Sequence, residues 1–152
     1  MIFRMVELMP IERNMDISEF DDKTVKANIE LSMEHYQRTG FSKPWISYLI
    51  TYQDNYAGIC AFKSVPIENK VEIAYHTFPL YEGKGLATEA CKKLIEIAQN
   101  DDKNIAITAR TLPETNASTN VLTKNSFKLS GTVIDLDDGE VFEWALAVIV
   151  KT

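Results

Sequence analysis

Several things are scarce in this chain of 152 residues. It has two cysteines, Cys60 and Cys91, and two histidines, His35 and His76. Two cysteines cannot build a disulfide framework. The histidines stand far apart without ligand spacing around them, so no metal site is expected. Positive charge is also short. Sixteen basic side chains face 22 acidic ones, for a net charge of -6. Nucleic-acid affinity comes mostly from cations on phosphates, so no nucleic-acid partner is expected. Long apolar runs are absent. The strongest, Trp144 to Val150, is too short to cross a bilayer, and Met1–Met5, followed by Glu7 and Pro10, lacks the apolar core of a signal peptide. The sequence therefore predicts a soluble cytoplasmic protein with no membrane association. Six glycines and five prolines are too few for a collagen or a disordered linker. The length suits one domain, 1–152.

Periodicity gives the elements. Residues 16–40 read as a helix. Val25, Ile29, Met33 and Tyr36 form one apolar stripe, Asp21 or Asp22 caps the start, and Gly40 suits the left-handed position after the end. Trp45–Gln53, Tyr56–Val65 and Val71–Phe78 read as strands joined by the short turns Asp54-Asn55 and Pro66–Asn69, an antiparallel meander. Leu86, Ala90, Leu94 and Ala98 then recur at helical spacing, with Glu89, Lys92, Lys93, Glu96 and Gln99 on the other face. A strand over Asn104–Leu112, a short helix over Asn116–Lys124 and a hairpin of Phe127–Leu136 and Val141–Val150 complete the chain. The fold class is a mixed α/β sheet with helices packed on it.

Tyr81-Glu82-Gly83-Lys84-Gly85-Leu86-Ala87-Thr88 lies between a strand and the long helix. Gly83 and Gly85 let backbone approach a ligand closely. The unpaired N–H groups and dipole of the helix start make an anion site, suited to a phosphate or pyrophosphate. A tight strand-to-helix turn is the bland alternative. The lysine-serine pair of a phosphate-loop hydrolase and the third glycine of a dinucleotide loop are both missing.

Glu82-Gly83-Lys84-Gly85-Leu86-Ala87 resembles the Q/R-x-x-G-x-G/A acyl-CoA loop of the GNAT N-acetyltransferases. Val71–Tyr75 is similar to that family's fourth strand. Ala87-Thr88-Glu89-Ala90 resembles the "G-x-A-T-E-A" helix start of its RimJ/RimL-type branch. Asn116-Ala117-Ser118 with Val121–Phe127 resembles the branch's "N-x-x-S…V-L-x-K-x-G-F" segment. These segments lie in order over about residues 45–145. The resemblance implies the GNAT fold: an antiparallel meander whose central strands, Val71–Phe78 and Asn104–Leu112, run parallel and splay apart. It implies acetyl-CoA as co-substrate in that gap, with no metal, and a primary amine as acceptor.

Residue roles follow from the resemblance. Glu72, Ala74 and His76 share one strand face, and two polar residues on an interior strand suggest a polar cavity. Glu72 matches the strand-four glutamate that acts as general base in histone-acetylating members. An ion-paired carboxylate is the alternative. His76 is a second catalytic candidate or a structural histidine. Backbone at His76, Thr77 and Phe78 would hold the pantetheine arm and the thioester carbonyl, where an N–H stabilises the oxyanion. Glu82, Gly83, Lys84, Gly85, Leu86, Ala87 and Thr88 would hold the pyrophosphate, with the Glu82 carboxylate turned away from it. Asn116 and Ser118 would contact the pantetheine or acyl end; helix capping is their alternative role.

The chain also departs from the family pattern. Glu82 replaces Gln or Arg, and Ser126 replaces the usual Gly. Leu122 stands where the family often has a general-acid tyrosine, which leaves protonation of the coenzyme A thiolate unassigned. These departures motivate a second reading, a non-catalytic acyl-CoA-binding regulatory domain. Cys60 and Cys91 read as buried core thiols, with a Cys60–His76 dyad as the sharper alternative. Tyr36, Phe41, Trp45 and Tyr48 either roof an acceptor site or pack the core. The acidic turn Asp135–Glu140 reads as a hairpin tip or a cation-attracting rim. Val148–Val150 reads as an edge strand able to pair with a second subunit in a homodimer.

Overall fold

The structure, a computed structural model, describes residues 6–114 and 116–146. Among these residues seven strands form one sheet: β1 (Val6–Pro10), β2 (Ser47–Tyr52), β3 (Asn55–Phe62), β4 (Lys70–Thr77), β5 (Ala106–Thr111), β6 (Phe127–Asp135) and β7 (Gly139–Leu146). The helices are α1 (Lys23–Thr39), α2 (Leu86–Asp101) and α3 (Ala117–Lys124). The strand order is β1-β2-β3-β4-β5-β7-β6. Among the described residues no helix is long and apolar enough to cross a membrane.

Local chemistry sets most boundaries. Asp22 caps α1 by accepting the N–H groups of Thr24 and Val25 at 2.7 and 3.1 Å, and Gly40 ends it at φ 88°. The helix expected from residue 16 starts later. Asp16 accepts the Ser18 N–H and opens a separate 3₁₀ turn, Ile17–Glu19, after which the chain extends through Phe20. Two aspartates compete as starts, and the second begins the longer helix. The turn before β3 takes its left-handed residues at Gln53 and Asp54 (φ 49° and 63°), one position earlier than expected. β7 pairs with β6 from Gly139↔Asp135 to Leu146↔Phe127. Ala147 to Val150, and with them the expected edge pairing, lie outside the described residues.

β1 is an addition that the sequence reading lacked. Val-Glu-Leu-Met-Pro carries little β-branching, and its strand state is imposed by the open edge of β2, with Val6 opposite Tyr52 and Pro10 opposite Tyr48. Pro10 is tolerated because β1 is an edge strand.

Helices cover both faces. α1 packs over Ser47, Ile59 and Ala61, with His35 Nε2 2.8 Å from the Lys63 carbonyl oxygen. α2 and α3 cover the other face. There Val71, Ile73 and Cys60 meet Leu86, Ala90, Cys91 and Leu94 in the core. Tyr36 and Tyr48 are both buried, Phe41 sits edge-on to Tyr36, and Trp45 sits edge-on to Phe62. The Tyr36 hydroxyl donates to the Ile11 carbonyl at 2.8 Å and accepts the Ser47 N–H at 2.9 Å. Tyr36 and Tyr48 thus belong to the core, and Phe41 and Trp45 are partly buried against it.

Candidate active site

β4 and β5 run parallel but pair over only four positions, from Lys70↔Ala106 to Ile73↔Ala109. β4 then continues to Thr77 along β3 alone, and β5 continues to Thr111 along β7 alone. The sheet opens at Ala74. Antiparallel pairing turns alternate residues toward one neighbour. The Lys63 N–H donates to the Glu72 carbonyl at 2.9 Å and the Phe78 N–H donates to the Ala57 carbonyl at 2.8 Å. Backbone groups of residues 72, 74, 76 and 78 therefore face β3, and those of 73, 75 and 77 face β5. Past Ile73, Tyr75 and Thr77 turn backbone groups into the gap with no strand opposite among the described residues. Of the expected stretch His76–Phe78, Thr77 is the residue whose N–H faces the opening. Gly58 fixes this geometry, because a Cβ there would collide with the His76 carbonyl oxygen.

The chain leaves β4 through a 3₁₀ turn, Pro79–Tyr81, and reaches α2 through an exposed loop, Glu82–Gly85. Gly83 and Gly85 are left-handed, at φ 75° and 76°. A Cβ at Gly83 would meet no atom within 4 Å, so the loop leaves open space above it. Gly85 is the N-cap of α2 and supplies no side-chain acceptor. The N–H groups of Leu86, Ala87 and Thr88 therefore begin the helix without a capping side chain, while the Glu89 N–H closes the first turn on the Gly85 carbonyl at 3.2 Å. Leu86 is buried, so it offers this site only its backbone. The exposed Glu82 side chain is consistent with a carboxylate turned to solvent. The Asn125 amide donates to the Thr88 and Val121 carbonyls at 3.1 and 3.0 Å, tying the end of α3 to the first turn of α2.

On the α1 side of the sheet, next to the opening, lies a charged floor. Glu72 Oε2 stands 2.6 Å from Lys63 Nζ, and Oε1 stands 3.7 Å from Arg110 Nε. Arg110 also reaches Asp135 at 3.1 Å and Glu143 at 3.6 Å, and Lys70 reaches Glu143 at 3.5 Å. Glu72 Oε2 is buried and ion-paired with the Lys63 ammonium. Burial works against the Arg110 charge. The hydrogen bond to Asp135 and the charges of Glu72 and Glu143 outweigh it and hold the guanidinium pKa above its ordinary value. Asp135 is held below the usual carboxylate range by the Asp137 N–H first, then by Arg110 and the Asp138 N–H. The acidic turn is therefore organised around Asp135 and is more than a solvated tip.

The sequence reading missed Lys63, Arg110 and Glu143. The signal that flagged Glu72 applies to Arg110 and Glu143 as well: a charge on an interior strand. Pairing them required knowing that Arg110 lies opposite Glu143.

The other expected residues are spread around the opening. His76 is exposed on the Glu72 face, four residues along the strand. At about 3.3 Å per residue this separates the two by about 13 Å, too far for a direct relay. Cys60 pairs with Tyr75 and faces α2, on the side of the sheet away from His76, so the two do not form a dyad. Burial pushes the Cys91 thiol up to about 12 and the Cys60 thiol higher still, as expected for core thiols.

Asn116 caps α3. Its side chain accepts the Thr119 N–H at 3.1 Å, and Thr119 Oγ1 accepts the Asn116 N–H at 3.0 Å. Asn116 and Ser118 line a cavity of about 250 Å³ with Lys63, Arg110, Asp135 and Asp138. This cavity joins the start of α3 to the charged floor. Leu122 is fully buried. Ser126 is left-handed at φ 70°, the conformation that the family's usual glycine would adopt without strain. Among the described residues no cluster of His, Cys, Asp and Glu could hold a metal.

These features agree with what the chain is similar to. Residues 7–128 match the family described as "Acetyltransferase (GNAT) domain". An uncharacterized N-acetyltransferase, p20, of Bacillus licheniformis is 30% identical over 128 residues, covering 84% of this chain and 71% of that protein. The ribosomal L7/L12 alpha-N-protein acetyltransferase RimL, in its apo form, superposes with a TM-score of 0.73 at 18% identity, over 96% of this chain and 95% of that one. The microcin C7 self immunity acetyltransferase MccE, solved with acetyl-CoA and AMP, superposes with a TM-score of 0.64 at 21% identity, over 89% and 77%. The chain belongs to the GNAT acetyltransferase family and is an acetyl-CoA-dependent acyltransferase.

Proposed function

We propose that this single domain, 1–152, transfers the acetyl group of acetyl-CoA to a primary amine by direct attack in a ternary complex. The observation that carries the reading is the end of β4–β5 pairing at Ile73↔Ala109, beside the uncapped start of α2. A thioester threaded through that opening has its pyrophosphate at Glu82–Thr88, where three backbone donors and Lys84 face it. Its carbonyl lies along Thr77, whose N–H stabilises the oxyanion. Asn116 and Ser118 border the acyl end from α3.

Glu72 accepts the proton of the attacking ammonium. An amine with a pKa near that of lysine, about 10, does not attack while protonated. Oε1 is the oxygen suited to the task, since Lys63 holds Oε2 at 2.6 Å while Arg110 stands 3.7 Å from Oε1. Lys63 and Arg110 hold the carboxylate on the floor. His76, exposed at the end of β4, lines the acceptor's path. The acceptor is a small-molecule amine or a protein N-terminus, consistent with N-acetyltransferase relatives, and the enzyme works in the cytoplasm.

The test is acetyl-CoA titration by calorimetry, followed by coenzyme A release with a broad amine panel. Glu72→Gln is expected to lower kcat about 10²- to 10⁴-fold with acetyl-CoA affinity retained. Unchanged turnover in that variant removes Glu72 as the base. A wild type that does not bind acetyl-CoA removes the whole reading.

A further inference from the structure

Transfer leaves a thiolate, and α3 offers it no donor at the expected place, because Leu122 has no polar group and packs into the core. A different hydroxyl reaches the same region. Tyr75 lies two residues beyond the last β4 position that pairs with β5. It faces the α2–α3 side of the sheet, beside Cys60. Its ring spans toward the start of α3, where the hydroxyl donates to the Ser118 carbonyl at 2.8 Å. It therefore underlies the opening on the side away from Glu72, and Ser118 borders the cavity that meets the charged floor.

We propose that the Tyr75 hydroxyl donates the hydrogen bond that receives the coenzyme A sulfur as the C–S bond breaks. This rests on the acetyl-transfer reading above. The amine lone pair forms the C–N bond, and Glu72 takes the ammonium proton. Collapse of the oxyanion breaks the C–S bond and leaves its electron pair on sulfur, and the second proton of the attacking nitrogen passes to that thiolate or to solvent as the amide forms. Tyr75 keeps its proton throughout and shares it with the thiolate. Burial, with the Cys91 thiol nearby, pushes the phenol above the ordinary tyrosine value, which suits a donor that does not ionise. Turning the O–H from Ser118 to sulfur is cheap. The Ser118 carbonyl stands four residues before Leu122 inside α3 and keeps its helical partner.

The test compares wild type with Tyr75→Phe, which preserves the ring. The thiol of bound coenzyme A is titrated by thiolate absorption, and coenzyme A and desulfo-coenzyme A affinities are measured by calorimetry. The expected result is a bound thiol that ionises about one pH unit or more lower in wild type than in the variant, a tenfold effect on its equilibrium. Desulfo-coenzyme A should bind both proteins equally, and kcat should fall about ten- to a hundredfold in the variant. Equal thiol titration in the two proteins overturns the proposal. So does a loss of desulfo-coenzyme A affinity as large as that of coenzyme A, since Tyr75 would then only hold α3 against β4. Should the variant not fold, the wild type alone decides: a bound thiol that ionises no lower than free coenzyme A refutes the donor. A wild type that binds acetyl-CoA but fails these tests loses Tyr75 alone. One that binds no acetyl-CoA loses the parent reading.

Discussion

Gly83→Ala separates the backbone role of the loop from its ligand role. Gly83 is left-handed at φ 75°, and a Cβ there meets nothing within 4 Å. The new methyl therefore causes no clash in the free protein. Its cost is conformational, about 1–2 kcal/mol for an L-residue in that region. At roughly 2–4 °C per kcal/mol for a domain of this size, Tm should drop by about 2–8 °C. Gly139 is the internal control, since it is left-handed at φ 71° with the same open space but sits in the β6–β7 turn. Gly139→Ala should lose similar stability.

Binding should divide the two variants. The methyl at position 83 fills open space on the loop that leads into the uncapped start of α2, where the pyrophosphate is proposed to lie. Losing one hydrogen bond to a charged pyrophosphate is worth about 1.5–3 kcal/mol, or roughly 10- to 150-fold in Kd. Acetyl-CoA at a hundred times the wild-type Kd stabilises the fold by about 2.7 kcal/mol, a rise of about 5–11 °C. If Kd rises a hundredfold, the same concentration stabilises Gly83→Ala by only about 0.4 kcal/mol, or about 1–2 °C. Thermal unfolding with and without acetyl-CoA, backed by calorimetry, reads both effects. Equal acetyl-CoA affinity in Gly83→Ala and Gly139→Ala would refute the loop as the pyrophosphate cradle.

Three further outcomes concern stability and pH. Ser126→Gly removes a left-handed serine, so Tm should rise by about 2–4 °C for about 1 kcal/mol of relieved strain; a lower Tm would show that the serine is not strained. Tyr36→Phe orphans the Ile11 carbonyl and the Ser47 N–H, and urea unfolding should show a loss of about 2–4 kcal/mol; a loss under about 1 kcal/mol would mean that water replaces the hydroxyl. The folded Asp135 carboxyl is depressed, chiefly by the Asp137 N–H, so its contribution is present above the unfolded pKa of about 3.9 and is lost as pH falls through the folded value. Asp135→Asn should therefore flatten the decline of stability below about pH 4, followed by urea midpoints, and parallel pH slopes in the two proteins would contradict the assignment.

Much of this protein was legible one residue at a time. The stripe of α1, its Asp22 cap and its Gly40 stop follow from side-chain spacing and backbone freedom. So do the meander, the α2 stripe and the glycine loop before it, because short-range chemistry sets each of them. Cys60 and Cys91 read as core thiols, and they are buried. The strand state of β1 was not legible, since Val6–Pro10 is held by the edge of β2, not by its own propensity. Nor did the sequence separate the short turn that Asp16 opens from the helix that Asp22 caps, since residues 16–40 read as one helix.

The site divides the same way. The sequence marked Glu72 as a charge on an interior strand. Only the tertiary structure set it among Lys63, Arg110, Asp135 and Glu143, because β5 enters between β4 and β7 and brings together residues up to 80 positions apart. It also decided that His76 and Cys60 lie on opposite faces, a matter of strand parity. And it brought Tyr75 to Ser118, 43 residues on, across an opening that exists only because two parallel strands stop pairing after Ile73.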